Sequence, residues 1–374
     1  MTAPLDAFPP DRILLGPGPS DVHPSVLAAM AQPLLGHLDP DFTPRLDDIA
    51  EQLRTVFRTA NRVTFPVSGT GSAGMEAVVV NLLEPGDEVV VGINGVFGGR
   101  LAEVARRAGA KVTTVEAPWG RIIEPAAFLE AVERTSARMA VLVHAETSTG
   151  VLQPMAEIAE GMRGRPTLLA LDTVTSLAGV EVDIDAWGVD AAYSGTQKCL
   201  SVPPGLSPVT FSERAVRRVR ERSVPVQSWY LDLQLILGYM DATGGRTYHH
   251  TAPISMLYAL NQGLRLVLRE GLDARIARHR RLGTMLQDGL VALGLPLLAQ
   301  EGHRLPQLTT VGLPEGVDEA AWRRALLDRH GIEVGAGLGD LAGRAWRIGL
   351  MGHSACERNV RVVLAAIEDL LAGR

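Results

Sequence analysis

Along most of the chain, short apolar runs alternate with stretches whose apolar residues recur every three or four positions. Runs of the first kind, at Val63–Val67, Glu88–Ile93, Lys111–Val115, Met139–His144, Thr167–Asp172 and Ala191–Ser194, predict strands. Between them, Ala73–Leu83, Arg100–Ala108, Ala126–Val132 and Met155–Met162 have the spacing of amphipathic helices. Turn formers at Glu84-Pro85-Gly86-Asp87 and Gly98-Gly99 punctuate the pattern. Such alternation predicts an α/β fold: a mainly parallel sheet covered by helices on both faces. From about Ser255 the rhythm changes. Met256–Arg269 and Ala274–Leu293 read as long helices, and a smaller α+β unit follows, with strands near Thr309–Leu313 and Ala345–Leu350 and helices at Glu319–Arg329 and Glu357–Leu371. The expected organisation is an N-terminal arm over 1–20, a large domain over 21–260 and a small C-terminal domain over 261–374. Within the arm, Gly16-Pro17-Gly18-Pro19-Ser20 is too rigid for a solvated tail and is expected to pack against the body.

Composition narrows the function classes. With 46% hydrophobic and 21% charged residues in 374, the chain has the make-up of a soluble enzyme. A net charge of −6 with no basic block argues against nucleic acid as a partner, and no apolar run is long enough to span a bilayer. Two cysteines, Cys199 and Cys356, build no disulfide framework. The first ten residues lack a secretory pattern, and Leu371-Ala372-Gly373-Arg374 is not a peroxisomal signal. The expected location is cytoplasmic.

Three features bear chemistry. The strand Val63–Val67 runs into Ser68-Gly69-Thr70-Gly71-Ser72-Ala73-Gly74 and then an apolar helix, a context in which free N–H groups hold a phosphate. Alone, the stretch has a tight turn as its lesser reading. Its Gly69-x-Gly71-x-x-Gly74 also matches a dinucleotide pattern, with Asp87 as a conceivable ribose partner. Asp172 closes an apolar strand, where open α/β sheets place ligands, although a turn or capping aspartate has the same signature. Lys198, in Ser194-Gly195-Thr196-Gln197-Lys198, is one of only two lysines and has no helix face to explain it. Lys111, the other, opens a strand as a solvated edge residue. A buried lysine of depressed pKa is an amine nucleophile for Schiff-base chemistry. Together, the three supply the parts of a pyridoxal-phosphate site: an amine, a carboxylate for the pyridine nitrogen and a phosphate loop.

With these in place, the chain resembles the alanine–glyoxylate and serine–glyoxylate aminotransferases, class V of the fold-type-I pyridoxal-phosphate enzymes. The resemblance runs nearly end to end, through Leu15-Gly16-Pro17-Gly18-Pro19-Ser20, Ser68-Gly69-Thr70-Gly71, Leu83-Glu84-Pro85-Gly86-Asp87 and Asn94-Gly95. It continues through Thr147-Ser148-Thr149-Gly150-Val151-Leu152-Gln153-Pro154, the Lys198 segment, Tyr248-His249-His250-Thr251 and Arg347-Ile348-Gly349-Leu350. It implies a seven-stranded sheet, pyridoxal 5′-phosphate as cofactor, and transfer of an amino group from alanine or serine to glyoxylate.

By position, the resemblance makes Lys198 the Schiff-base lysine and Asp172 the partner of the pyridine nitrogen. Thr70, Gly71, Ser72 and Gln197 fall at the phosphate. Phe97 stands where relatives carry a tryptophan stacked on the ring, Val174 on the ring's other face, and Thr147 where relatives have a serine. Arg347, with Gly18, would meet the substrate carboxylate. Tyr248 and Thr251 would reach the phosphate of a neighbouring subunit in a homodimer with shared active sites.

Other uses of these residues are weaker. His249-His250 would point apart in a strand or turn, and no nearby cysteine or carboxylate set completes a metal site, so no metal is expected. Ser354-Ala355-Cys356 is similar to the reactive loop of cysteine desulfurases, but it follows Arg347 and opens a helix. A different amino donor within class V, or a non-catalytic protein of the same fold, are the alternatives.

Overall fold

The computed structural model describes residues 8–240 and 246–373. Residues 1–7 of the expected arm, and Arg374 of the C-terminal tetrapeptide, lie outside the described residues. The first strand, β1 (Ile13–Leu15), joins a second sheet. The main sheet has seven strands: β2 (Val63–Ser68), β3 (Glu88–Ile93), β4 (Lys111–Glu116), β5 (Met139–Val143), β8 (Leu168–Asp172), β9 (Ala191–Tyr193) and β10 (Leu206–Phe211). Their order across the sheet is β2-β10-β9-β8-β5-β3-β4, and the numbers β6 (Ala145–Glu146) and β7 (Val151–Leu152) denote a short antiparallel ribbon just past β5.

All five residues of β5 and of β8 are buried, as expected of strands covered on both faces. Alternate side chains go to opposite sides: Val90, Leu142 and Leu169 enter one core, Val91, Val141 and Ala170 the other. The contacts of β3, β5, β8 and β9 with one another are parallel, while β10 runs antiparallel to both neighbours. The reason is local. Parallel strands need a crossover, usually a helix, and the loop from Tyr193 to Leu206 has none, so the chain turns back beside itself. That loop carries Lys198.

Two helix starts differ from the sequence expectation. The helix expected from Arg100 begins at Val96 and runs to Arg107, so Gly98-Gly99 lies inside its first turns rather than breaking the chain. A Cβ on Gly98 would stand 2.7 Å from the Gly92 carbonyl oxygen, so this glycine serves close packing on β3. The phosphate-loop helix likewise begins earlier, at Gly71, and ends at Leu82.

The second sheet has the order β1-β12-β13-β11, from β1, β11 (Leu308–Gly312), β12 (Ile332–Ala336) and β13 (Ala345–Gly349). Leu282, Leu286 and Leu290, one helical turn apart on the helix Leu272–Ala292, pack with Val363 and Ile367 of Glu357–Ala372 over this sheet. Part of the expected arm is therefore a strand: Ile13–Leu15 pairs in parallel with Ile332–Val334. Among the described residues, no helix is long and apolar enough to cross a membrane.

Candidate active site

In the main sheet, the loops leaving β2, β3, β5, β8 and β9 all emerge at the carboxyl ends of strands, where open α/β sheets form their crevice. Val143, Asp172 and Tyr193 stand abreast in register at that edge. A cavity of about 130 Å³ opens there. Thr70, Gly71, Ser72, Phe97 and Thr147 line it from the earlier loops; Asp172, Val174, Gln197 and Lys198 line it from the later ones. The structure thus brings nine of the sequence-predicted residues to one place.

Lys198 is buried, and its Nζ donates to the carbonyl oxygen of Pro17. Burial, reinforced by the Arg347 guanidinium, brings its ammonium down to about 8. Its backbone is fixed from the N-terminal segment: Ser20 N donates to the Gln197 carbonyl at 2.9 Å, and Ser20 Oγ donates to the Lys198 carbonyl at 2.9 Å. Gly18, at φ 105°, lies so near the lysine that a Cβ there would stand 2.7 Å from Nζ. The stretch expected to pack against the body packs against this lysine. Lys111, by contrast, is exposed on edge strand β4.

Asp172 is held by two donors. Val174 N donates to Oδ1 at 2.8 Å and Tyr193 Oη to Oδ2 at 2.7 Å. The first bond is the turn geometry an aspartate at a strand end commonly makes; the second crosses to β9 and was not foreseen from sequence. Burial dominates and pushes the carboxyl up to about 6, against the pull of both donors.

The loop after β2 is built for an anion. Gly69 takes φ 148°, Thr70 precedes the first helical residue without making a side-chain cap bond, and the amides that open the helix have no intrahelical partner. The dinucleotide alternative fails at Asp87, which accepts from Glu84 N at 2.9 Å and pairs with Arg218 at 2.7 Å.

Glu146, like Tyr193, is a residue that sequence reasoning missed. Fully buried, its Oε2 accepts from the amides of Phe97 and Gly98 at 3.1 and 3.3 Å, and its Oε1 from Ser148 N and Oγ at 3.0 and 2.6 Å. It caps the helix that carries Phe97, and Gly95 leaves room for it, since a Cβ there would run into its side chain. No spacing rule links residues 146 and 97. Glu146 closes the two-residue strand β6, and its burial shows only in three dimensions.

Arg347 and Gly18 adjoin the cavity rather than line it. Arg347, buried on β13, donates from Nε to the Ala336 carbonyl at 2.8 Å and from Nη1 to the Thr147 carbonyl at 3.3 Å. Among the described residues it has no carboxylate within ion-pair distance, so a buried guanidinium is left for an anionic ligand. Tyr248 and Thr251 are exposed and stand outside their own chain's cavity; Tyr248 leans on His37, ring centres 5.2 Å apart. The expectation that His249 and His250 point apart is corrected: their Nδ1 atoms are 2.8 Å apart. The segment is irregular, so strand alternation does not apply. Among the described residues, no group of three or more metal-ligating side chains gathers. Cys356 precedes the helix Glu357–Ala372.

Residues 14–365 match the family model described as aminotransferase class-V. The chain is 40% identical to a (S)-ureidoglycine–glyoxylate transaminase of Bacillus subtilis (strain 168), covering 97% of this chain and 91% of that protein. It is 38% identical to an alanine–glyoxylate aminotransferase of Drosophila melanogaster, with 97% and 93% covered. A solved structure of an alanine–glyoxylate aminotransferase from Nostoc sp. superposes with a TM-score of 0.96 at 47% identity, covering 99% of this chain and 98% of that one.

Proposed function

The chain belongs to the class V aminotransferases, and we propose that it moves an amino group from a small amino acid to glyoxylate, giving glycine and a 2-oxo acid in two half-reactions. The observation that carries this reading is the single cavity in which a buried lysine, a buried aspartate and an open helix N-terminus meet. Glyoxylate as acceptor draws on the names of the relatives, which share it while differing in donor. Alanine and serine are the donors expected from the sequence.

Enzymes of this family depend on pyridoxal 5′-phosphate, and the residues fit it. The amides that open the helix at Gly71 have no intrahelical partner and border the cavity, and a Cβ on Gly71 would come within 3.0 Å of Val174, narrowing the space between loop and strand end. When bound, the cofactor supplies an electrophilic carbon for amines and a ring that accepts the electron pair released at the substrate α-carbon. Thr70, Gly71, Ser72 and Gln197 would hold its phosphate, Phe97 and Val174 its two faces, and Thr147 and Asp172 its polar edge. Lys198 Nζ serves twice: as the amine that fixes the cofactor and as the base that takes the α-proton of the substrate. Its lowered pKa brings the free amine within reach near neutral pH. Asp172 Oδ would accept from the protonated pyridine nitrogen. Arg347 would orient the substrate carboxylate near Gly18, whose missing side chain leaves room for Lys198.

We read the assembly as a homodimer in which Tyr248 and Thr251 serve the partner's phosphate. In support, Tyr248 is 62% exposed, and Trp229, also exposed, stacks on the next residue, His249, with ring centres 4.5 Å apart. The two free cysteines favour a reducing, cytoplasmic setting. The deciding experiment incubates purified protein with glyoxylate and alanine, serine or ureidoglycine, and follows glycine. Absence of glycine with every donor, in protein carrying its cofactor, would reject the reading.

A further inference from the structure

We propose that Arg100 is a phosphate ligand of this site, its guanidinium meeting the phosphate monoester of the bound cofactor beside Ser72. The proposal rests on the reading that the cavity holds pyridoxal 5′-phosphate. Arg100 lies one turn into the helix Val96–Arg107, three residues past Phe97, and lines the same cavity. Its guanidinium sits over the Phe97 ring, 4.9 Å from the centroid, which fixes a long side chain at little further entropic cost. From there Nη1 reaches Ser72 Oγ at 3.5 Å, at the mouth of the glycine-rich loop.

Charge accounting favours an anion at this point. Among the described residues, the cavity is lined by two cations, Lys198 and Arg100. Lys198 is committed to Pro17 and to the chemistry. The helix N-terminus at Gly71 offers only about half a positive charge, against the nearly two negative charges of a phosphate monoester. Arg100 is the remaining full charge, and it is unspent: among the described residues no carboxylate lies within ion-pair distance of it. The natural helical partner, Glu103 one turn on, is taken by Arg107 at 2.8 Å. A planar guanidinium has the fork that phosphate oxygens accept.

The test is equilibrium binding of pyridoxal 5′-phosphate, of pyridoxal and of inorganic phosphate to the cofactor-free full chain, in wild type, Arg100→Gln and Arg100→Lys. Arg100→Gln should weaken pyridoxal 5′-phosphate about tenfold to a hundredfold and leave pyridoxal unchanged; inorganic phosphate should compete less well with the variant's cofactor binding. Arg100→Lys should recover part of the loss. Equal weakening of both ligands would assign Arg100 to the support of Phe97 and overturn the proposal, as would unchanged affinity for the phosphorylated ligand. Wild-type protein that binds no pyridoxal 5′-phosphate would instead overturn the underlying functional reading.

Discussion

The hydroxyl of Tyr193 donates to Oδ2 of Asp172 at 2.7 Å from the adjacent strand, where both residues are buried. The bond opposes the effect of burial, which pushes the carboxyl up to about 6. Without it, Asp172 would hold its proton to still higher pH and lose the charge needed for a protonated pyridine nitrogen.

Tyr193→Phe should therefore move the acid limb of cofactor affinity upward by roughly one pH unit, the equivalent of one hydrogen bond. Titrations of pyridoxal 5′-phosphate into the cofactor-free chain between pH 5 and 8 measure this, and coincident acid limbs for the two proteins would discount the bond. Stability follows the same group. Since burial raises Asp172 from 3.8 to about 6, its contribution is fully present below the lower value and is lost as pH rises through the upper one. Asp172→Asn should lack that decline.

Lys198→Ala should lower turnover by several orders of magnitude while leaving the fold intact, because the amine is both anchor and proton carrier. Single-turnover rates beside circular dichroism give the answer. Activity within about tenfold of wild type would remove Lys198 from the chemistry.

Glu146→Gln keeps the shape but replaces one of the two acceptor oxygens by an amide donor, which then faces either the N–H groups of Phe97 and Gly98 or that of Ser148. Leaving such buried donors unsatisfied costs about 1–3 kcal/mol, seen as a lower denaturant midpoint, and cofactor release should quicken as Phe97 loosens. A variant as stable as wild type would mean that Glu146 is already protonated, a state its burial favours.

Arg347→Ala should weaken carboxylate substrates by roughly 2–5 kcal/mol, the range for a desolvated pair. Competition between an amino acid and its amide in the wild-type enzyme is the control; equal affinity would leave the guanidinium without this role.

The proposed shared-site dimer predicts complementation. A chain lacking Lys198 and a second carrying Tyr248→Phe and Thr251→Ala, refolded together, should regain activity in mixed dimers. One site then combines Lys198 of the second chain with the Tyr248 and Thr251 of the first. Mixed dimers no more active than either parent would return these residues to their own subunit.

Much of this architecture was legible because its strands are unambiguous: Glu88–Ile93 is a strand with the bounds its apolar run indicates. The Lys198, Asp172 and Gly-rich segments could be read because each sits where an element ends. Other elements hid. The strand Leu206–Phe211 contains Pro208, a residue that argues against a central strand, yet it lies between β2 and β9. The strand Ile13–Leu15 is three residues long and finds its partner more than three hundred residues away. Tyr193 and Glu146 act across strands and loops, and the pattern of one segment has no information about the surface it will meet.

The segment from Leu15 to Ser20 has one end paired with Val334 in the smaller sheet and the other hydrogen-bonded to Gln197, in the loop between two strands of the larger. It is a leash of fixed length between the two layers, with Pro17 against Lys198 along the way. Were the smaller sheet to shift relative to the main one, the segment would drag on Pro17, the amine's own neighbour. A residue inserted here would slacken that leash, whatever its side chain, and loosen Pro17 from the amine it faces.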